Sequence, residues 1–153
     1  MAELDKIDLK ILRLLQADGR MGNAEIARRV NLSPAACHRR VQALFTGGYV
    51  TGVHARIDPA KVDLGVLVLV AVVLDRSTPE SFAAFEEAAL ANAAILECHL
   101  VAGDFDYMLK VRARDIDDFN AFHGSKLIAL PGVRQTRTFF VLKQVRDAGP
   151  LQF

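Results

Sequence analysis

Between positions 20 and 41 the chain places five arginines, Arg20, Arg28, Arg29, Arg39 and Arg40, against one carboxylate, Glu25. Guanidinium groups suit phosphate oxygens and the edge of guanine, because each planar fork donates two parallel hydrogen bonds. Gln42, three residues past Arg39, has the amide that pairs with adenine. A second cluster, Gly103-Asp104-Phe105-Asp106-Tyr107, offers different chemistry. Its carboxylates can accept from an ammonium group, and free N–H groups of a glycine turn can hold a carboxylate. The loop therefore suits a free amino acid, with a hairpin turn whose aspartates cap backbone groups as the alternative. Other constellations fall short of catalysis. Asp104 and Asp106 have no third metal ligand at suitable spacing. Cys98 and His99 are adjacent on a predicted strand and point to opposite faces, so they cannot form a nucleophile–base pair. His123 has no evident partner, and the sequence holds no GxGxxG, P-loop or CxxC. The chain reads as a binding protein without catalytic, metal or cofactor residues.

The arginines need elements to aim them. Leu4, Ile7, Ile11 and Leu14/Leu15 recur at helical spacing, and Asp18-Gly19 ends that helix. Asn23 is the expected N-cap of a short second helix with Ile26 and Val30 on its inner face. Ser33 is the expected cap of a third, whose first residue, Pro34, needs no N–H donor. Cys37, Val41 and Leu44 form its inward stripe, and Gly47-Gly48 stops it. Two helices joined by a short turn form a helix-turn-helix pattern. On that wheel Ala35, Arg39 and Gln42 face outward, with His38 and Arg40 on the flanks. Arg39 is the candidate for guanine, and Arg40 for a phosphate or for support of the turn. Ser33 with its helix end holds another phosphate, and Arg28 and Arg29 suit the DNA backbone, although Arg29 could instead pair with Glu25.

The segment YVTGVHARI, residues 49–57, reads as an extended connector closed by Asp58-Pro59. Beyond it the periodicity predicts strands at 66–74, 95–102, 107–113 and 133–142. Helices open at Ser77-Thr78-Pro79-Glu80 and at Asp115. This βαββαβ order is the ferredoxin-like arrangement, with both helices on one face of an antiparallel sheet. The other face, expected to be rich in valine, needs a cover, and a second copy of the chain is the simplest one. The fold class is thus α+β.

The whole chain has 153 residues, 52% hydrophobic and 24% charged, with a formal net charge of +1. Near-neutrality argues against a nucleic-acid partner until the charge is split by position. Residues 1–60 hold nine Lys and Arg against six Asp and Glu, whereas residues 61–153 hold ten against twelve. A basic module precedes an acidic one. The longest apolar run, Leu64 to Leu74, is 11 residues, about half of what a membrane span requires. No signal-peptide core is present at the start, and two distant cysteines do not staple a chain of this size. The expectation is a soluble cytoplasmic protein acting at the nucleoid.

Three stretches, LDKIDLKILRLLQADGR, IARRVNLSPAACHRRVQAL and ECHLVAGDFDYMLKV, resemble the Lrp/AsnC family of transcriptional regulators, as does the closing PGVRQTRTFFVLKQV. The resemblance spans nearly the whole chain. It implies a winged-helix-type helix-turn-helix domain over 1–50, a linker strand or hinge over 51–62, and a ferredoxin-like (ACT-like) domain over 63–145. Residues 146–153 are then a C-terminal tail. It further implies double-stranded DNA as partner, a homodimer assembling to tetramers or octamers, and control of genes of amino-acid metabolism or transport. The implied effector is an amino acid bound between second domains, at Gly103, Asp104 and Asp106 with Thr136, Thr138 and Phe140 of the last strand nearby. An architectural DNA-organising protein with no effector is the alternative.

Overall fold

A computed structural model describes residues 4–153. They divide into two units, residues 4–56 with Arg146–Phe153, and Ile57–Val145.

The first unit is built on three helices. Helix α1, Lys6–Ala17, starts in a reciprocal capping box. The Asp5 carboxylate accepts from the Ile7 and Asp8 N–H groups at 2.8 Å each, and the Asp8 carboxylate accepts from the Asp5 N–H at 3.2 Å. Such a box occupies N–H groups that the helix itself cannot satisfy. Helix α2, Asn23–Val30, starts at Gly22 with no side-chain cap, so the expected Asn23 cap is corrected. Asn23 is already helical, and its amide instead donates to the Pro34 carbonyl at 2.9 Å. Helix α3, Pro34–Thr46, starts as its residues require, with Ser33 Oγ accepting from the Ala36 N–H at 3.2 Å. Gly48, at φ +74°, takes the chain out of it in the left-handed region that glycine adopts readily. The unit's core is small: Ile11, Ile26, Ala27, Val30, Cys37 and Leu44. The connector 49–57, extended in the sequence reading, makes no strand pairing among the described residues.

The second unit opens with a 3-10 turn, Pro59–Val62, and then follows βαββαβ order. Its elements are β1 (Val66–Leu74), α4 (Pro79–Leu90), β2 (Ile95–Leu100), β3 (Tyr107–Ala113), α5 (Ile116–Phe122) and β4 (Val133–Phe140). The sheet order is β2-β3-β1-β4 and every pairing is antiparallel. Strand β1 is central, which explains why its run is apolar on both faces. Val68, Val70, Val72 and Leu74 join Phe85 of α4, Tyr107 and Leu109 of β3 and Phe119 of α5 in one core. The valines therefore face the helices, against expectation. By alternation, Leu67, Leu69, Ala71 and Val73 occupy the other face, with Phe139 of β4 beside Leu69. Strands β2 and β4 each end two residues before the periodicity predicts.

After α5 the backbone widens to a π turn, His123–Leu127, which buries Leu127 completely. Pro131-Gly132 then reverses the chain. Gly132 sits at φ +72°, and a Cβ there would stand 3.2 Å from the Asp75 carboxylate. Its carbonyl accepts from the Asp75 N–H at 2.8 Å, which pins the end of β1 to the start of β4.

Candidate nucleic-acid interface and effector loop

Ser33 and Pro34 set where α3 begins, and the buried Cys37 and Leu44 set its rotation about its axis. With that stripe inward, Ala35, His38, Arg39 and Gln42 are all exposed. No carboxylate pairs with Arg39 among the described residues, so its full donor set faces solvent. A helix-turn-helix presents these early positions of its second helix to the base edges.

Arg28, Arg29 and Arg40 are engaged within the chain. Arg28 donates from Nε and Nη2 to the two Glu25 oxygens at 2.9 and 2.7 Å, and Arg29 Nε donates to Glu25 Oε1 at 2.6 Å. These two guanidinium groups, Arg28's first, hold the Glu25 carboxyl down to about 2. Arg40, expected at a phosphate or in support of the turn, is held instead by the start of α1. Its Nη1 donates to Asp5 and to Asp8 at 2.8 Å each, tying α3 to the capping box of α1. The Asp8 bond comes first in raising the Arg40 pKa above its ordinary value. The capping box thus has two tasks, and the second is invisible in the local sequence. Cys37 lies fully buried in this core, and burial raises its thiol pKa, so it packs as an uncharged apolar side chain.

In the second unit, Gly103, Asp104 and Asp106 lie together in the connection between β2 and β3. Gly103 has φ +154°, a conformation in which a side chain is strained although space around it is open. Asp104 is exposed to solvent. Asp106 serves the fold: its Oδ2 accepts from the Leu74 N–H at 2.7 Å, and its own N–H donates to the Val72 carbonyl at 2.9 Å. The backbone-capping alternative therefore describes Asp106.

Thr136, Thr138 and Phe140 lie opposite Val72, Val70 and Val68, on the helix-facing side of β4. Thr136 Oγ1 is 3.0 Å from His123 Nε2, the partner for His123 that the sequence did not disclose. Phe140 meets the Phe119 ring edge-on at 5.3 Å. Tyr107 also acquires an unforeseen partner, donating its hydroxyl to Glu86 of α4 at 2.7 Å. Burial first, and then this carboxylate, push the Tyr107 phenol well above its usual range. Cys98 and His99 point to opposite faces as alternation requires. His99 stands beside Glu97, whose pKa is lowered mainly by its hydrogen bond from Lys110.

Comparison with known proteins agrees with this geometry. Residues 4–44 match the AsnC-type helix-turn-helix domain, and residues 67–151 match the Lrp/AsnC ligand binding domain. The chain is 42% identical over 149 residues to leucine-responsive regulatory proteins of Klebsiella pneumoniae and Escherichia coli, covering 97% of this chain and 91% of each relative. A transcriptional regulator from Neisseria meningitidis, solved as an L-Met complex, superimposes with a TM-score of 0.92 at 33% identity, over 98% of this chain and 97% of that one. An AsnC family regulator from Agrobacterium tumefaciens gives 0.91 at 32% identity, over 97% of both chains. The two solved relatives are transcriptional regulators. The chain belongs to the Lrp/AsnC family of transcriptional regulators.

Proposed function

We propose that this regulator reads DNA with the outward face of α3 and adjusts that reading to a free amino acid. The observation that carries it is the exposed Arg39 and Gln42 on a helix whose start and rotation are both set by its own residues. Arg39 contacts guanine, Gln42 contacts adenine, and Ala35 packs against a thymine methyl. Ser33 and the free N–H groups at the start of α3 hold a phosphate, and His38 lies over the backbone. Arg28 and Arg29 reach phosphates from α2, with Glu25 limiting the charge they deliver. Arg40 acts through α1.

The effector is an amino acid, in keeping with the L-Met bound by the Neisseria regulator. Gly103 and Asp104 receive its polar end, with Asp106 shaping the loop and Thr136, Thr138 and Phe140 contributing from β4. Second copies pair through the open sheet face, where Phe139 is 48% exposed beside Leu69. Homodimers built this way, and tetramers or octamers of them, present several weakly charged reading heads, so avidity supplies what each head lacks. The regulated genes serve amino-acid metabolism or transport.

Gel shifts on DNA upstream of its own and adjacent genes, with and without each of the twenty amino acids, test this reading. Binding that one amino acid changes in the wild type, and that Asp104→Ala leaves insensitive, is the expected result. One observation favours an architectural role without effector: Asp106 and Thr136 are already engaged inside the fold. DNA binding indifferent to all twenty amino acids would decide for that reading.

A further inference from the structure

Residues 146–153 follow the last strand of the second unit, yet they pack with the first. Gln16 of α1 brackets the backbone of Leu151: its Nε2 donates to the Leu151 carbonyl at 2.9 Å, and its Oε1 accepts the Leu151 N–H at 3.0 Å. A strand edge binds its neighbour in the same way, through both main-chain groups of one residue. Arg13, one turn earlier on α1, donates from Nε to the Phe153 carbonyl at 2.8 Å and from Nη2 to the same oxygen. Its guanidinium carbon lies 5.5 Å from the centre of the Phe153 ring, a cation–π contact. Arg56 Nη2 donates to the Asp147 carboxylate at 2.8 Å. Leu12, Leu15, Tyr49 and Val53 complete a groove of about 360 Å³ that Leu151 and Phe153 border.

We propose that the Arg13/Gln16 face of α1 is a docking surface whose occupant is the chain's own segment 146–153, and that the docked segment is a latch on the reading head. Helix α1 packs on the unit's core through Ile11, with Leu12, Leu14 and Leu15 against it, and carries two polar attachments besides. Near its start, Asp5 and Asp8 hold Arg40 of the reading helix. Toward its end, Arg13 and Gln16 hold the latch. Undocking the latch removes the polar tie at one end of the helix whose other end holds Arg40 of α3. No residue of 146–153 is buried, so polar contacts hold the latch and it opens at low cost. This inference is independent of the effector reading.

Full-length Gln16→Ala and Leu151→Pro proteins test it; the second removes the N–H that Gln16 Oε1 accepts, fixes φ and replaces the Leu151 side chain. Both positions are exposed, so neither variant strips the core. Amide exchange over residues 12–17 and 49–54 is expected to accelerate about fivefold in each, since it reports local opening. DNA affinity is expected to fall about threefold, in proportion to the competent fraction. The double variant is expected to match Gln16→Ala, which already removes both hydrogen bonds to residue 151. Unchanged exchange, unchanged DNA affinity or additive effects would each overturn the latch. A Gln16→Cys/Leu151→Cys protein treated with a short bismaleimide settles the occupant, with wild type as control for Cys37 and Cys98. Crosslinked product of one-chain size is expected; a two-chain band would overturn the own-chain assignment.

Discussion

The two units hold their helices by different means. In the second, α4 and α5 lie on a continuous apolar core running from Phe85 through the β1 valines to Phe119 and Leu127. In the first, a six-residue core is supplemented by polar ties between segments far apart in sequence: Arg40 to Asp5 and Asp8, Asn23 to the Pro34 carbonyl, and Gln16 to Leu151. An apolar core fixes its layers firmly because displaced atoms lose contacts on all sides. A polar tie is replaced by water at modest cost. The sheet unit is therefore the rigid base, and the reading head is the part whose geometry single polar substitutions can adjust.

The contrast predicts a descending series of effects. Phe85→Ala, which empties a fully buried ring site against Tyr107, should cost about 3–5 kcal/mol in denaturant or thermal unfolding. A loss below about 1 kcal/mol would mean that the sheet core is not the base described. Arg39→Ala should leave the unfolding midpoint unchanged and weaken specific DNA binding about tenfold by anisotropy titration. Arg40→Ala should behave in the opposite way, lowering the midpoint of the first unit by roughly 4 °C and weakening DNA binding less than Arg39→Ala does. An equal loss of binding with no change in midpoint would move Arg40 from the framework to the interface.

The smallest effect is set by Glu25. Glu25→Gln releases Arg28 and Arg29, so DNA affinity should rise and the logarithmic salt dependence should steepen by about one for each new phosphate contact. The pH dependence has a definite sign. The folded pKa of Glu25, about 2, lies below its ordinary 4.5. The stability its pairing contributes is therefore fully present above about pH 4.5 and is lost as the pH falls from there through about 2. Glu25→Gln should flatten that part of the acid-unfolding curve. A curve identical to wild type would show that the pairing contributes nothing to stability, as exposed ion pairs often do not.

Much of the architecture was legible because its signals are local. Ser33-Pro34 starts α3, Thr78-Pro79 starts α4 and Asp115 starts α5, each by a side chain accepting from an N–H three residues on. Features whose signals are not local were not legible. The apolar run containing β1 has no polar residue to set its phase, so the inward face could not be distinguished before the helices were in place. Asn23 is a good cap by type, but Gly22 precedes it in the extended conformation that a cap requires. The partners of Arg40 lie 32 and 35 residues away, and that of Gln16 lies 135 away. Residue types showed that Arg39 and Arg40 both carry DNA-compatible chemistry. The helical wheel already turns Arg39 outward and Arg40 to the flank; only the fold shows that Arg40 holds α1.

The central claim is that the outward face of α3 reads DNA. Genomic immunoprecipitation of wild type against an Arg39→Ala/Gln42→Ala variant at matched protein levels tests it most directly. Wild type should enrich sites sharing a partly palindromic sequence, with half-sites about one helical turn or a multiple apart, and the variant should lose them while remaining folded. The same sites recovered at undiminished occupancy by the variant would contradict the account.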